Sequence, residues 1–236
     1  MIYDALIIGG SVAGISCALV LGSASKKPFM ADKKIGVLAH QRASALQDGL
    51  YNNAFGIPAG TLGADLLVNS LDQLKNTYPQ IDCIENEKVI KVEKTTNQTF
   101  LVHTNKNEVY ESRLLVIATG NSAFTIEGLE DFVIDHQKSI PSKNRIQLKN
   151  NDHLVTQGIY VAGTLAGHRS QLAIAAGSGA MVATDILVLW NDGNETHAHD
   201  SIRLKNKKTP ENFGSFLFYI KLVNFCSCNV FINFVY

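Results

Sequence analysis

The chain begins with Ile2-Tyr3-Asp4-Ala5-Leu6-Ile7-Ile8, followed at once by Gly9-Gly10-Ser11-Val12-Ala13-Gly14. A short apolar run that ends in glycine is typical of a strand buried on both faces of a parallel sheet. Residues 15–21 are rich in alanine and leucine and contain no helix breaker, so they predict a helix. The order of strand, glycine-rich turn and helix predicts the start of an α/β fold.

The glycine-rich turn matches most of the dinucleotide-binding fingerprint. That pattern needs a glycine for the tight turn, a small residue where the backbone meets the pyrophosphate, and a glycine where the helix packs on the strand. Gly9 and Gly14 match, and Ser11 replaces the middle glycine with a hydroxyl that can donate to a phosphate. An acid that binds the ribose is expected ~20 residues later. Asp32 lies near that spacing, at the end of a second strand predicted over 27–32. The alternative is an ordinary glycine-rich turn between a strand and a helix.

The remaining chain continues the alternation of strands and helices. Helices are predicted over 60–76 and 171–190, buried strands over 114–120 and 158–163, and antiparallel strands with a turn at 105–107 within 84–112. This pattern predicts a doubly wound parallel sheet, Rossmann-like, with helices on both faces and a small antiparallel β insertion.

Three motifs in this order resemble the FAD-binding domain of flavoproteins with two dinucleotide domains, above all the low-molecular-weight thioredoxin reductases. They are the first turn, the segment Leu115-Val116-Ile117-Ala118-Thr119-Gly120, and residues 158–163 followed by Ser170-Gln171-Leu172. The resemblance covers residues 1–192. It implies FAD as cofactor and an oxidoreductase, since in that family hydride passes from NADPH to FAD and then to a cysteine pair.

The resemblance also implies where FAD is bound. Asn53 matches an asparagine that contacts the flavin side, Val89 matches a position whose backbone meets the adenine, and Gln171 begins the helix that points at the flavin pyrimidine. The full set of implied cofactor contacts is Gly9, Gly10, Ser11, Val12, Ala13, Gly14, Asp32, Asn53, Val89, Ala118, Thr119, Gly120, Gly163, Thr164, Gln171 and Leu172. Each also has a plain structural explanation, such as a turn cap for Asn53 or a core strand position for Val89.

The departures from the family pattern bear on the reaction. Residues 120–163 are too few for an NADPH domain, and neither a second glycine fingerprint nor a C-x-x-C dithiol occurs there. Threonine at position 164 replaces the aspartate of the family's Gly-Asp pair. The expected function is therefore an FAD-dependent oxidoreductase of unknown electron donor and acceptor, with no catalytic side chain identified. A non-catalytic flavin- or nucleotide-binding remnant and an interaction protein are the alternatives.

Composition limits the partners and the location. The 236 residues carry 21 Lys+Arg and 21 Asp+Glu, for a net charge of +0, which argues against a nucleic-acid-binding protein. The expected partner is a small-molecule or protein redox partner. The N-terminus lacks the basic start and apolar core of a signal peptide, so the expected location is the cytoplasm. The seven histidines show no metal-ligand spacing, although His168 precedes the helix expected to face the flavin and could assist proton transfer.

The C-terminal end differs from the rest of the chain. We expect an FAD-binding domain over 1–200, followed over 201–236 by a polar linker and an apolar tail that begins near Phe213. The tail could pack on the core, mediate a homodimer, anchor the chain in a membrane or result from a shifted reading frame. Membrane contact ranks lowest because Asn and Lys residues interrupt the apolar window.

Overall fold

The computed structural model describes residues 2–40, 44–121 and 124–199. The chain divides into one unit of residues 1–200 and a second of residues 201–236. The expectations for the polar linker and for the apolar tail that begins near Phe213 lie outside the described residues.

Three α-helices occur in the described part: α1 (Val12–Ser23), α2 (Gly63–Thr77) and α3 (Leu172–Trp190). The strands are β1 (Ile2–Ile8), β2 (Ile35–Ala39), β3 (Leu50–Tyr51), β4 (Thr61–Leu62), β5 (Asp82–Glu85), β6 (Val89–Lys94), β7 (Phe100–Thr104), β8 (Val109–Ile117), β9 (Val133–Asp135), β10 (Ile146–Leu148), β11 (Leu154–Thr156) and β12 (Ile159–Val161). The first strand and the three predicted helices are confirmed to within a few residues at each end.

Five parallel strands form the core sheet, in the order β12-β8-β1-β2-β5. β1 lies in the centre, where Ile8 is paired with Leu38 of β2 on one side and Ile117 of β8 on the other. The first half of β8 also pairs with β7, which pairs with β6, so the antiparallel insertion is continuous with the core sheet. The α/β class with a parallel core and a small antiparallel insertion is confirmed.

The expectation of helices on both faces of the sheet is wrong. Ile7 of β1 packs in one apolar cluster with residues of α1, α2 and α3, whereas Leu6 and Ile8 pack in a second cluster on the opposite face. That second cluster contains residues of β6, β7 and β10 and, among the described residues, none of α1, α2 or α3. One face is therefore covered by helices, and the other by the antiparallel strands and the segment that follows them.

The predicted strand over residues 27–32 is also wrong. Pro28–Met30 forms a short 3-10 turn, in which proline with its fixed φ occupies the first position. The second strand is instead Ile35–Ala39. Every residue of this strand is buried, as expected for a central strand of a parallel sheet.

Candidate cofactor site

A groove of about 570 Å³ lies at the carboxyl ends of β1, β8 and β12. In open α/β sheets this edge is where ligands bind, because loops and helix N-termini meet there. The groove is lined by the turn of residues 9–13, by residues 118–121 after β8, by residues 162–164 after β12, and by the start of α3. The three motifs found in the sequence therefore meet in one place.

Two glycines make the close approach of these segments possible. Gly9 has a φ of +127°, and a Cβ there would lie 2.4 Å from the carbonyl oxygen of Ala118. A Cβ on Gly14 would lie 1.9 Å from the carbonyl oxygen of Gly9. Both distances are shorter than real contacts between a Cβ and a backbone oxygen. Neither position therefore accepts a side chain unless the turn moves. The glycine pattern predicted from the sequence therefore has a direct steric cause.

The N-terminus of α1 opens into the groove. Ser11 precedes the helix in an extended conformation, and Val12 and Ala13 form its first turn against the groove. The first N–H groups of a helix have no intrahelical acceptor and carry the positive end of the helix dipole. With no acidic side chain in this turn, the arrangement favours a bound phosphate or another anion. The hydroxyl of Ser11 lies 2.9 Å from that of Ser44, which ties the turn to the segment after β2.

The start of α3 lines another part of the groove. Ser170, Gln171 and Leu172 contribute to the wall, and the helix begins at Leu172. The hydroxyl of Ser178, in the first half of α3, accepts a 2.8 Å hydrogen bond from the N–H of Gly163. This buried bond fixes the turn after β12 against the helix. Thr164, where the family pattern has an aspartate, lies in the same wall.

Most of the residues implied by the resemblance line the groove. The lining includes Gly9, Gly10, Ser11, Val12, Ala13, Asn53, Val89, Ala118, Thr119, Gly120, Gly163, Thr164, Gln171 and Leu172. Gly14 does not line it but lies beneath the turn, where its lack of a Cβ permits the approach described above.

Asp32 is a correction. It lies in the turn before β2, with a left-handed φ of +64°, at the amino end of that strand. Asp32 therefore lies at the edge of the sheet opposite to the groove. There it lines a separate cavity of about 240 Å³ together with Leu21 and Gln80. The prediction that Asp32 binds the ribose fails because the predicted strand that would have carried it to the groove does not form.

Sequence reasoning missed several charged or polar groove residues: His40, Glu87, Lys88 and Arg145. His40 directly follows β2, at the place where the fingerprint has its acid. Glu87 is only 8% exposed and accepts a 3.1 Å hydrogen bond from the hydroxyl of Tyr110. Burial and the hydrogen bond to Glu87 raise the pKa of Tyr110 to about 12, so its proton stays on the phenol. A strand assigned over Ile35–Ala39 indicates His40, and a strand assigned over Asp82–Glu85 indicates Glu87.

His168 does not line the groove. Its ring packs against that of His153 with centroids 5.0 Å apart. His153 is buried and its Nδ1 lies 2.9 Å from the carbonyl oxygen of Val161. Burial, and secondarily the neighbouring His153, lowers the pKa of His168. The ring is therefore held neutral beside the groove, and its predicted part in proton transfer stays a prediction.

The two described cysteines, Cys17 and Cys83, are both unpaired. Cys17 is fully buried in α1, and burial raises the pKa of its thiol well above the usual range, so it is unreactive. Within residues 2–40, 44–121 and 124–199, no group of three or more metal-ligating side chains is placed to hold a metal ion. Of the helices in this part of the chain, α3 alone has the length and composition to cross a membrane, and one side of it is buried in the cluster shared with α1.

Comparison of the sequence with known proteins finds reductases among its relatives. A ferredoxin–NADP reductase of Listeria welshimeri is 30% identical over 162 residues, which cover 69% of this chain and 47% of the relative. A thioredoxin reductase of Claviceps purpurea is 24% identical over 211 residues, covering 85% of this chain and 59% of the relative. The chain spans about half the length of the curated relatives that it matches.

Solved structures share the fold. A thioredoxin reductase from Gloeobacter violaceus aligns with a TM-score of 0.63 at 14% identity, over 86% of this chain and 99% of the other. A ferredoxin-flavin thioredoxin reductase from Clostridium acetobutylicum aligns with a TM-score of 0.59 at 17% identity, over 81% and 98%.

The family model of pyridine nucleotide-disulphide oxidoreductases matches residues 3–179. This match and the reductases among the relatives confirm the predicted resemblance at the level of the family. The chain belongs to the pyridine nucleotide-disulphide oxidoreductase family.

Proposed function

We propose that this chain binds FAD along the groove and acts as an FAD-dependent oxidoreductase. The observation that carries the proposal is the close approach at Gly9 and Gly14, which brings the amide end of α1 into the groove. A turn with these two steric requirements is what a pyrophosphate between two nucleotide halves needs. When bound, the isoalloxazine of FAD supplies the redox chemistry, and the protein supplies placement and electrostatics.

We assign different parts of the groove lining to different parts of FAD. The turn of residues 9–13 would hold the pyrophosphate, and Val89 would meet the adenine through its backbone. Asn53, Thr164 and the start of α3 would hold the flavin half. The positive end of α3 favours negative charge at the groove, so it would stabilise the flavin when electrons arrive.

We propose that electrons pass directly between the flavin and an external partner. Of the described cysteines, neither has a partner thiol, and the motif that matches the dinucleotide fingerprint occurs once in the sequence. Ferredoxin–NADP reductases among the relatives support a redox partner of this external kind.

A segment rich in unpaired cations reaches the groove wall through Arg145 and favours a negatively charged partner. The segment of residues 136–149 contains Lys138, Lys143, Arg145 and Lys149 and no acid. Arg145 lines the groove. The guanidinium of Arg169 donates to the carbonyl oxygen of Lys138 at 3.4 Å, which brings Arg169 to the same segment.

None of these five cations forms a salt bridge within the described part of the chain. Elsewhere, by contrast, Lys33, Lys75 and Lys91 are paired with Asp4, Glu85 and Glu93. Positive charge that is not neutralised within the protein attracts anionic ligands and speeds their association.

The cofactor test uses the purified full chain. We expect a flavin absorbance spectrum and, after heat release, a cofactor that elutes as FAD on chromatography. Cofactor that elutes as FMN, or a protein that takes up no flavin on incubation with FAD, would contradict the proposal.

Turnover distinguishes the enzyme from the alternative of a non-catalytic flavin-binding remnant. The alternative is supported by one observation, that neither described cysteine has a partner thiol to relay electrons from the flavin. We expect the flavin-loaded protein to be reduced by NADPH slowly and without tight saturation, and to pass electrons to an artificial acceptor. Bound FAD without any such turnover would favour the remnant.

The charge of the acceptor tests the cation cluster. Ferricyanide is an anion and a simple benzoquinone is neutral, so we expect rising salt to slow electron transfer to ferricyanide far more than to the quinone. Lys143→Glu should reduce the ferricyanide rate several-fold and leave the quinone rate unchanged. Lys26→Glu, in the turn that follows α1, is the matched control and should change neither. Equal effects of the two variants would show that the cluster plays no part.

A further inference from the structure

The groove lacks the acid that the dinucleotide fingerprint predicts at the end of the second strand. β2 ends at Ala39, and the next residue is His40. Asp32, the acid nearest to the expected spacing, lies at the other end of β2 and outside the groove. The hydroxyl and amine donors of an adenosine would therefore need an acceptor from a different segment.

Glu87 reaches the same edge of the sheet from the neighbouring strand. β5 runs parallel to β2, and their carboxyl ends are adjacent, with Ala39 paired with Glu85. The next residue, Asn86, has a left-handed φ of +60° and donates its N–H to the carbonyl oxygen of Ala39 at 3.3 Å. This turn carries Glu87 into the groove wall, where it is the one carboxylate among the described lining residues.

The carboxylate is held in place and still has acceptor capacity. Its Oε2 accepts from the hydroxyl of Tyr110 at 3.1 Å, and its Oε1 lies 3.9 Å from the ammonium of Lys106. A carboxylate offers about four lone-pair sites, so these two partners leave acceptor positions free. The site also lies two residues before Val89, the position expected to meet the adenine.

We propose that Glu87 accepts hydrogen bonds from the adenosine half of the cofactor, in the role that the fingerprint gives to the acid after the second strand. The proposal rests on the proposed FAD site. A buried, pre-positioned carboxylate makes stronger hydrogen bonds to hydroxyl and amine donors than a neutral acceptor does. The same charge disfavours a phosphate on the adenosine ribose, because like charges repel.

The experiment compares affinities for ligands with and without adenosine. Glu87→Gln keeps the size of the side chain and an oxygen that accepts from Tyr110, but removes the charge. On flavin-free full-length protein we expect Glu87→Gln to weaken the binding of FAD and of ADP about tenfold and to leave the binding of FMN unchanged. Glu85→Gln, on the exposed end of β5 and paired with Lys75, is the matched control and should change none of the three.

Three outcomes decide the matter. Equal ADP affinity of the wild type and Glu87→Gln would overturn the role of Glu87 while leaving the FAD site intact. A wild-type protein that binds neither FAD nor ADP would instead overturn the proposed function. Tyr110→Phe removes the hydroxyl that holds Glu87 but keeps the carboxylate. We expect this variant to lose less ADP affinity than Glu87→Gln does. If Glu87→Gln weakened the binding of FMN as strongly as that of ADP, Glu87 would only support the fold, which also overturns the inference.

Discussion

The turn of residues 9–14 and the loop of residues 86–89 both contribute to the wall of the groove, through residues 9–13 and 87–89, but are built in different ways. The turn presents backbone amides, and its shape depends on the missing side chains of Gly9 and Gly14. The loop presents a buried carboxylate, Glu87, whose position depends on a left-handed Asn86 and on the hydroxyl of Tyr110. The turn needs glycine at two fixed positions in the sequence. The loop needs only a carboxylate at the groove wall, whichever segment supplies it.

This difference explains why one region is easily recognised and the other is not. A backbone approach within van der Waals contact leaves no freedom, since any Cβ at Gly14 would strike the carbonyl oxygen of Gly9. An acceptor for an adenosine, however, can come from any segment that ends at the same edge of the sheet. In this chain the expected place after β2 holds His40, and the adjacent β5 supplies the acid.

The largest expected effect is at the backbone-built turn. Gly14→Ala places a Cβ 1.9 Å from the carbonyl oxygen of Gly9, so the turn must open and the α1 amides must move. We expect the flavin content of the purified variant to fall to about a tenth of the wild-type value or less, because the interior cannot accommodate the added methyl group. The ratio of flavin to protein absorbance measures this.

The matched control for that change is Gly177→Ala. A Cβ at Gly177, within α3, has no neighbouring atom within 4 Å, and alanine favours a helix. This variant should keep its flavin and be as stable as the wild type or slightly more so. If Gly14→Ala retained flavin as well as Gly177→Ala does, the comparison between backbone and side-chain recognition would fail.

The fold was predictable where local pattern and tertiary structure agree. The first strand, the turn at Gly9 and helices α1 to α3 follow from apolar runs, glycines and helical spacing. β2 was missed because its five residues include Gly36 and follow a lysine pair, so its local signal is weak. Its strand conformation comes from pairing with β1 on one side and β5 on the other, which a local pattern does not contain.

The layer of strands opposite the helices could not be predicted from the sequence either, because it depends on tertiary contacts. Residues of β6, β7 and β10 are separated by many positions but share one apolar cluster with Leu6 and Ile8. Strand periodicity predicts that these residues alternate, but it does not say which face of the core sheet they cover. Most of the proposed cofactor contacts were still placed in the groove, because they follow the carboxyl ends of parallel strands that were correctly assigned.

A second prediction concerns pH and the side chains beside the groove. Burial lowers the pKa of His168 below its ordinary value of ~6.5, so in the folded state it takes up a proton less readily than in the unfolded chain. The unfolded state then binds more protons, and stability falls as the pH drops below ~6.5 through the folded pKa. We expect the Tm of the wild type to fall more steeply from pH 7 to pH 5 than that of His168→Gln.

His199→Gln, at an exposed position after α3, is the control and should keep the wild-type slope. The turn of residues 9–14 contains no titratable group. A change of pH should therefore not alter flavin binding at this turn in either variant. Parallel Tm curves for the wild type and His168→Gln would show that the buried environment of His168 does not resist protonation.

The smallest expected effect is at Asp32, and it completes the comparison. This residue has the sequence spacing of a ribose-binding acid but lies at the amino end of β2, in a different cavity from the groove. Asp32→Asn keeps the size of the side chain and suits the left-handed φ, so we expect wild-type stability and an unchanged affinity for FAD and ADP. Titration of flavin-free protein with ADP measures the affinity. A tenfold loss in Asp32→Asn, with no loss in Glu87→Gln, would mean that spacing along the chain predicts the acid better than its position at the edge of the sheet does.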